Sequence, residues 1–342
     1  MTFNLNSNFQ KIKLTPIYDS IKLIEMSDEE YFSSKWSDYI SNSRLSLINP
    51  SQDGSPEKYL EGLGKNAIYS SSLTLGSAVH QLVLQEDEFE VAEGIDRPTA
   101  KMGAMADILY PIYAKGEIIT DDIVIEASNK VGYYKGKMTD KRIQGVFDEC
   151  KQYWEDRQLW ESTTLEKTPI YLDLGTRVQL ASCITNIENH SEIQNLLHPK
   201  GIIEDPMSCN EAALFMEVKA ELDGKECILK LKGKLDNFTI DFENNEVVLN
   251  DLKTTGHFLK EFEESFRKFH YSRQMAMYIW MLSLYVRTKY NMKIDSLTAN
   301  MLVVSTIPAF YAGVFKVSKK YIKEGFSEFS ELLKRVALLS LQ

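Results

Sequence analysis

The stretch VLNDLKTTG, Val248 to Gly256, ends an apolar run with a carboxylate and an ammonium two residues apart. Side chains alternate along a strand, so Val247, Leu249, Asp251 and Lys253 share one face and the two charged groups point into the same cleft. In the preceding strand, Asp236 closes the run Lys230, Lys232, Lys234. A turn at Glu243-Asn244-Asn245 folds that strand back, and counting outward from the turn sets Asp236 beside Asp251. Two adjacent carboxylates repel, and a divalent cation between them removes the penalty. Mg2+ is held by few carboxylates plus waters and substrate phosphates, which is the set that two aspartates supply. A lysine beside such an ion can orient or deprotonate a water and neutralise charge building on a phosphoryl group. The spacing therefore fits metal-assisted phosphodiester hydrolysis; the plainer alternative is an ion pair at a strand rim.

Further residues could join this site. Gln274 and Tyr278 are four apart and so lie on one helix face, either as core-edge polar groups or as contacts to a phosphate backbone or to the lysine. His80 follows Gly76 by four on the apolar helix LGSAVHQLVL, where a lone histidine reads first as a structural residue. Thr254 directly follows the lysine.

The elements that must position these groups are readable from periodicity. The segments AALFMEVKA, CILKLKGKLDNFTIDF and NEVVLNDLKTT alternate with period two and are separated by the turn sequences DGKE and ENNE, which predicts three antiparallel strands. A long helix follows from about Ser272 to Tyr290, with Met275, Tyr278, Ile279, Leu282 and Val286 on one face. Two more strands, LTANMLVVST and FYAGVFKVS, and a helix from Lys319 complete the C-terminal part. Upstream, residues 1–40 read as an arm of short extended pieces with a short helix capped at Ser27, Glu30 completing a capping box. Ser55-Pro56-Glu57 starts another helix, and Thr74 can cap the helix that carries His80. From Asp96 to about Lys200 the pattern is mostly helical. The expected class is α/β, or α+β-like, with a mixed, mostly antiparallel sheet. The expected division is an arm (1–40), a core (41–95 and 200–342) and a helical insertion (96–199).

Composition narrows the function classes. A chain of 342 residues with 44% hydrophobic and 26% charged residues can bury a sizeable core, and it exceeds the length at which one core usually stops growing. It has no long apolar run, and its polar start lacks a secretory signature, so a soluble, cytoplasmic protein without membrane association is expected. The formal charge of −10 rules out a general basic coat, so a polyanion partner must be met by a local basic groove. Cys150, Cys183, Cys209 and Cys227 are scattered without a C-x-x-C pair, which argues against zinc, redox or iron–sulfur sites. GLGKN at Gly62 does not satisfy a phosphate-loop pattern, and the basic cluster Lys135 to Arg142 reads as a solvated loop or a local DNA contact.

In order, GSAVH, KGKLDNF, NDLKTT and YSRQMAMY resemble the helix histidine, the first aspartate, the acid-x-lysine strand and the Q-x-x-x-Y helix of the PD-(D/E)XK nuclease superfamily. The chain is most similar to the RecB-like branch and, within it, to phage and bacterial exonuclease VIII (RecE-type) proteins. SNSRLSLINPS, FEVAEGIDRPTAKMG, Glu211 in NEAALF and the closing VVSTIPAFYAGVFKVSKKYIKEG add to that likeness, which is weak between Lys101 and Lys200. The acid before Lys253 is Asp where Glu is commoner.

The resemblance implies a restriction-endonuclease-like core and a Mg2+- or Mn2+-dependent DNA exonuclease acting on linear double-stranded DNA in recombination or DNA processing. His80, Asp236, Asp251 and the backbone carbonyl of Leu252 would be metal ligands, and Asp236, Asp251 and Lys253 the catalytic residues. Gln274, Tyr278, Glu211 and Thr254 would contact DNA or support the site. A single-strand annealing partner and a ring-shaped homo-oligomer are also implied. The competing expectation, an inactive nuclease fold kept for DNA binding or regulation, predicts a broken set of site residues.

Overall fold

Residues 207–255 carry the plainest strand pattern. In the computed structural model, which describes residues 9–62, 75–134, 136–163, 166–199 and 207–341, they form three strands joined by two tight turns. In chain order the strands are β1 (Lys13–Ile24), β2 (Phe89–Val91), β3 (Thr168–Ile170), β4 (Met207–Leu222), β5 (Lys225–Asp241), β6 (Glu246–Thr255), β7 (Ser296–Ser305) and β8 (Ala312–Lys316). The turn between β4 and β5 is Asp223-Gly224, with φ of 48° and 80°; two positive φ values give the hairpin turn whose twist matches its strands. The turn between β5 and β6 is held by the Asp241 carboxylate, which accepts the Glu243 and Asn244 N–H groups at 2.9 Å.

The chain forms two compact units, Met1–Tyr69 with Asn186–Gln342, and Ser70–Thr185. The first contains a six-stranded mixed sheet in the order β1-β4-β5-β6-β7-β8, antiparallel except where β6 runs parallel to β7. That parallel pair requires a crossover, supplied by the helices Phe262–Lys268 and Tyr271–Tyr290. The predicted face of the second helix is buried, and so are Ala276, Met277, Met281 and Leu284 around its circumference. It packs against both the sheet and the helix Lys319–Leu341, which explains burial beyond one stripe. Leu231, Leu235, Phe238, Leu249, Met281 and Leu333 lie at the centre of this core, each contributing about 1.5–3 kcal/mol by leaving water.

The N-terminal segment differs from expectation. Lys13–Ile24 forms an edge strand antiparallel to β4 instead of an arm of separate extended pieces. An edge position also accommodates Pro16, which has no N–H to donate. The short helix after it, Asp28–Tyr31, is capped as predicted, the Ser27 side chain accepting the Glu30 N–H.

The second unit contains the helix Leu75–Leu84 and, around a core of Met105, Leu109, Val146 and Trp154, the helices Ala100–Ala114, Asp121–Val131 and Asp140–Thr163. It also holds a two-stranded parallel pair, β2 with β3, that the helical pattern did not predict. The expected cap Thr74 lies outside the described residues. Among the described residues, no helix is long and apolar enough to cross a membrane.

Candidate active site

The β5–β6 ladder stops at the pair Asn237–Asn250. One step further the strands part, β5 continuing along β4 and β6 along β7. Asp236 and Asp251, next in register, stand at the fork. The Asp236 Oδ2 atom accepts the Leu252 N–H at 2.8 Å, so a side chain takes over where the backbone ladder ends.

Glu211 lies across from Asp236, between the pairs Asn210–Asn237 and Ala212–Leu235. Its φ of 51° is left-handed, which costs a non-glycine residue about 1–2 kcal/mol. The side-chain alternation slips there: Leu235 and Phe238, three apart, both enter the same core, which an unbroken period of two forbids. Carboxylate oxygens of Glu211 and Asp236 lie within 4.8 Å of each other.

Asp251, at 1% exposure, accepts a hydrogen bond at Oδ1 from Gln274 Nε2 (3.0 Å) and pairs through Oδ2 with the Lys253 ammonium. The same ammonium donates to the Leu252 carbonyl at 3.2 Å and lies 3.9 Å from Asp236 Oδ2. Three oxygens of the predicted ligand set thus converge on one cation. They are hard donors of the kind Mg2+ and Mn2+ prefer, so the donor chemistry fits such an ion. Burial works against the Lys253 ammonium, but Asp251 and then Asp236 outweigh it and hold its pKa above the ordinary lysine value. Burial, with Asp251 and Asp236 adding to it, pushes the Tyr278 phenol up, so it remains a neutral donor.

Charge at the fork is unbalanced. Lys234 pairs with Asp28 and, at 2.6 Å, with Glu211; Lys253 pairs with Asp251 and faces Asp236. Among the described residues, four carboxylates meet two ammoniums in these pairs.

Two features were missed in the sequence. Asn237 Nδ2 donates to Asn210 Oδ1 (2.7 Å), Asn250 Nδ2 to Asn237 Oδ1 (2.7 Å) and Asn300 Nδ2 to Asn250 Oδ1 (2.9 Å), an amide ladder across β4, β5, β6 and β7. Asn237 adjoins Asp236 and Asn250 adjoins Asp251, so the ladder fixes the register that sets the acids side by side. The available signal was an asparagine inside an apolar strand, which must find partners when buried. Gly233 is the other feature: a Cβ there would meet the Tyr278 ring at 2.7 Å, so glycine allows the close approach of the helix phenol.

The first unit therefore brings together Asp236, Asp251, Leu252, Lys253 and Gln274, with Glu211 and Tyr278 beside them. Thr254 lies one position on, paired with Val304 of β7. His80 lies on the helix Leu75–Leu84 of the second unit and is half-buried. None of the four cysteines forms a disulfide.

Residues 58–337 match the family model of the PD-(D/E)XK nuclease superfamily. The mixed sheet flanked by helices is the restriction-endonuclease-like architecture expected of it. No curated protein matches the chain. Among solved structures, a candidate exonuclease from Eubacterium rectale is 14% identical over 93% of this chain and 86% of its own, with a TM-score of 0.36.

Proposed function

The chain belongs to the PD-(D/E)XK nuclease superfamily, and from that premise we propose that it is a divalent-metal-dependent deoxyribonuclease that removes nucleotides from the ends of linear double-stranded DNA. The observation that carries this reading is the convergence of Asp236 Oδ2, Asp251 Oδ2 and the Leu252 carbonyl on one cation at the strand fork. Asp236, Asp251 and Leu252 would hold Mg2+ or Mn2+, with His80 as the nitrogen ligand that the family pattern adds and Glu211 as a neighbouring acid. When bound, the ion supplies a Lewis acid for the phosphate and makes a water acidic enough to attack.

The remaining steps belong to the chain itself. Gln274 holds one oxygen of Asp251, which orients the other toward the cation. The Lys253 ammonium, kept protonated by its acids, offers N–H groups to the attacking water and to the phosphate oxygen that gains charge. Tyr278 and Thr254 support these groups or contact the DNA backbone. A place in the RecB-like, exonuclease VIII branch and a role in phage or bacterial recombination rest on the motif resemblance, as do an annealing-protein partner and a ring assembly.

The test is digestion of linear duplexes labelled at the 5′ or the 3′ end, with closed circles alongside, in Mg2+, Mn2+ or chelator. Release of label from linear DNA in either metal and its absence in chelator is expected. Cleavage of closed circles would replace exonuclease with endonuclease, and digestion in chelator would remove the metal.

A further inference from the structure

A cavity of about 530 Å3 adjoins the fork and shares Gln274 and Tyr278 with it. Phe32, Trp36 and Tyr39 line it together with Arg44 and Lys232. The lysines of β5 are treated unequally here. Lys230 pairs with Asp38, and Lys234 pairs with Asp28 and Glu211, whereas Lys232, at 8% exposure, touches no carboxylate among the described residues. Its ammonium donates to the Tyr31 carbonyl at 2.8 Å and sits 4.4 Å from the Tyr31 ring centre. Among the described residues Arg44 likewise donates to carbonyls, those of Ser37, Tyr39 and Gly62. Burial and then the neighbouring Arg44 charge, with Asp38 opposing them, bring Lys232 down to about 8.

Two like charges held together, in a chain whose net charge is −10, cost free energy unless an anion visits them. Trp36 Nε1 adds a buried donor with no acceptor among the described residues. Capping of carbonyls explains where each cation reaches, but among the described residues neither makes an ion pair with a carboxylate. The volume lies in the ~300–1,000 Å3 range of small-ligand sites and is too small for a duplex. Aromatic walls next to cations suit a base joined to its phosphate.

We propose that this cavity is a nucleotide subsite that takes one unpaired nucleotide of the strand being cut, its phosphate against Lys232 and Arg44 and its base against the Trp36–Tyr39 wall. The inference rests on the nuclease reading above and narrows its substrate: the strand must leave the duplex before it reaches Asp251. The border at Gln274, which bonds Asp251, makes the subsite continuous with the fork.

The test uses the full chain in chelator, titrated with thymidine 5′-monophosphate, thymidine or inorganic phosphate, in wild type, Lys232→Met and Trp36→Leu, with melting curves to establish folding. The monophosphate should bind at least about tenfold more tightly than either fragment, and Lys232→Met should weaken it about tenfold, as loss of one charged hydrogen bond does. On DNA with Mg2+ the same variant should raise KM more than it lowers kcat. If Lys232→Met does not fold, Trp36→Leu carries the test with the same expected loss of monophosphate binding. Equal binding of inorganic phosphate and monophosphate overturns the subsite, as does a folded Lys232→Met that binds like wild type. Those results would leave the nuclease reading intact if wild type digests DNA. A wild type that cuts nothing, yet loses monophosphate binding in Lys232→Met, would sink the nuclease reading and keep the subsite.

Discussion

Each unit of this chain contains a cluster of charges, and the two are built on opposite plans. In the second unit, Arg97 donates twice to Asp107 (3.0 and 2.9 Å) and Arg157 pairs with Glu161 at 2.8 Å. Three phenols close the network: Tyr153 on Asp107, and Tyr110 and Tyr171 on Glu161. Arg157 also stacks 3.8 Å from the Tyr110 ring centre and 4.3 Å from that of Tyr171. Two carboxylates meet two guanidiniums, each locked by planar, directional bonds. At the fork of the first unit, four carboxylates meet two lysines, whose ammoniums are point charges on flexible stems. Among the described residues the cluster of the second unit pairs each carboxylate with a guanidinium, while the fork holds more carboxylates than ammoniums, an arrangement that suits the proposed cation site. On the proposed reading, charge balance, more than charge density, separates the two clusters.

Substitutions can break this contrast. The largest effect is expected at Asp251. Asp251→Asn should lower DNA cleavage about a thousandfold or more, since it removes a proposed ligand, while melting temperature stays level or rises. Lys253→Met should cost about a hundredfold in cleavage, with divalent binding retained. The mirror change is Asp107→Ala in the second unit. It strands the buried Arg97, leaving Arg157 to Glu161 alone, and should cost about 3–5 kcal/mol of stability by denaturant titration, with cleavage per folded molecule unchanged. If Asp107→Ala left stability untouched, or Asp251→Asn unfolded the chain, the division between the clusters would fail.

Smaller effects sharpen the account. Asn250→Leu removes the middle of the amide ladder, leaving Asn237 Oδ1 without its donor and Asn300 Nδ2 without its acceptor. A loss of about 2–3 kcal/mol is expected, together with a fall in kcat as Asp236 and Asp251 lose register. Gly233→Ala drives a methyl into the Tyr278 ring and should cost about 1–3 kcal/mol. The smallest effect is a pH dependence in the second unit. Burial raises the Glu161 pKa, but bonds from Tyr110, Arg157 and Tyr171 outweigh it and leave the carboxyl below its ordinary value. Its contribution is therefore complete above the unfolded value of about 4.3 and disappears as pH falls through the lower folded value. Glu161→Gln should flatten that acid limb of the melting profile.

The site was legible where chemistry and periodicity coincide. Asp251 and Lys253 share a face because strands alternate, and Asp236 falls beside Asp251 because both are equally distant from the turn around Asn244. The fork itself was not legible, since it arises where a ladder ends and strand propensity does not mark that point. The left-handed Glu211 was equally hidden: glutamate has no local preference for that conformation, and the surrounding sheet imposes it. In the fold, β1 was obscured because its edge position needs only one buried face, so its alternation is diluted by Pro16, Asp19 and Lys22. The pair β2 with β3 was obscured because three residues are too few to establish a period. The long helices were plain because many turns repeat one signal.

The central claim is that the Asp236–Asp251–Leu252 oxygens form a divalent-cation site, and the most direct measurement is Mn2+ titration followed by electron paramagnetic resonance on wild type and Asp251→Asn. The account predicts saturable Mn2+ binding in wild type that disappears in the folded variant. Identical binding curves for the two proteins would contradict it.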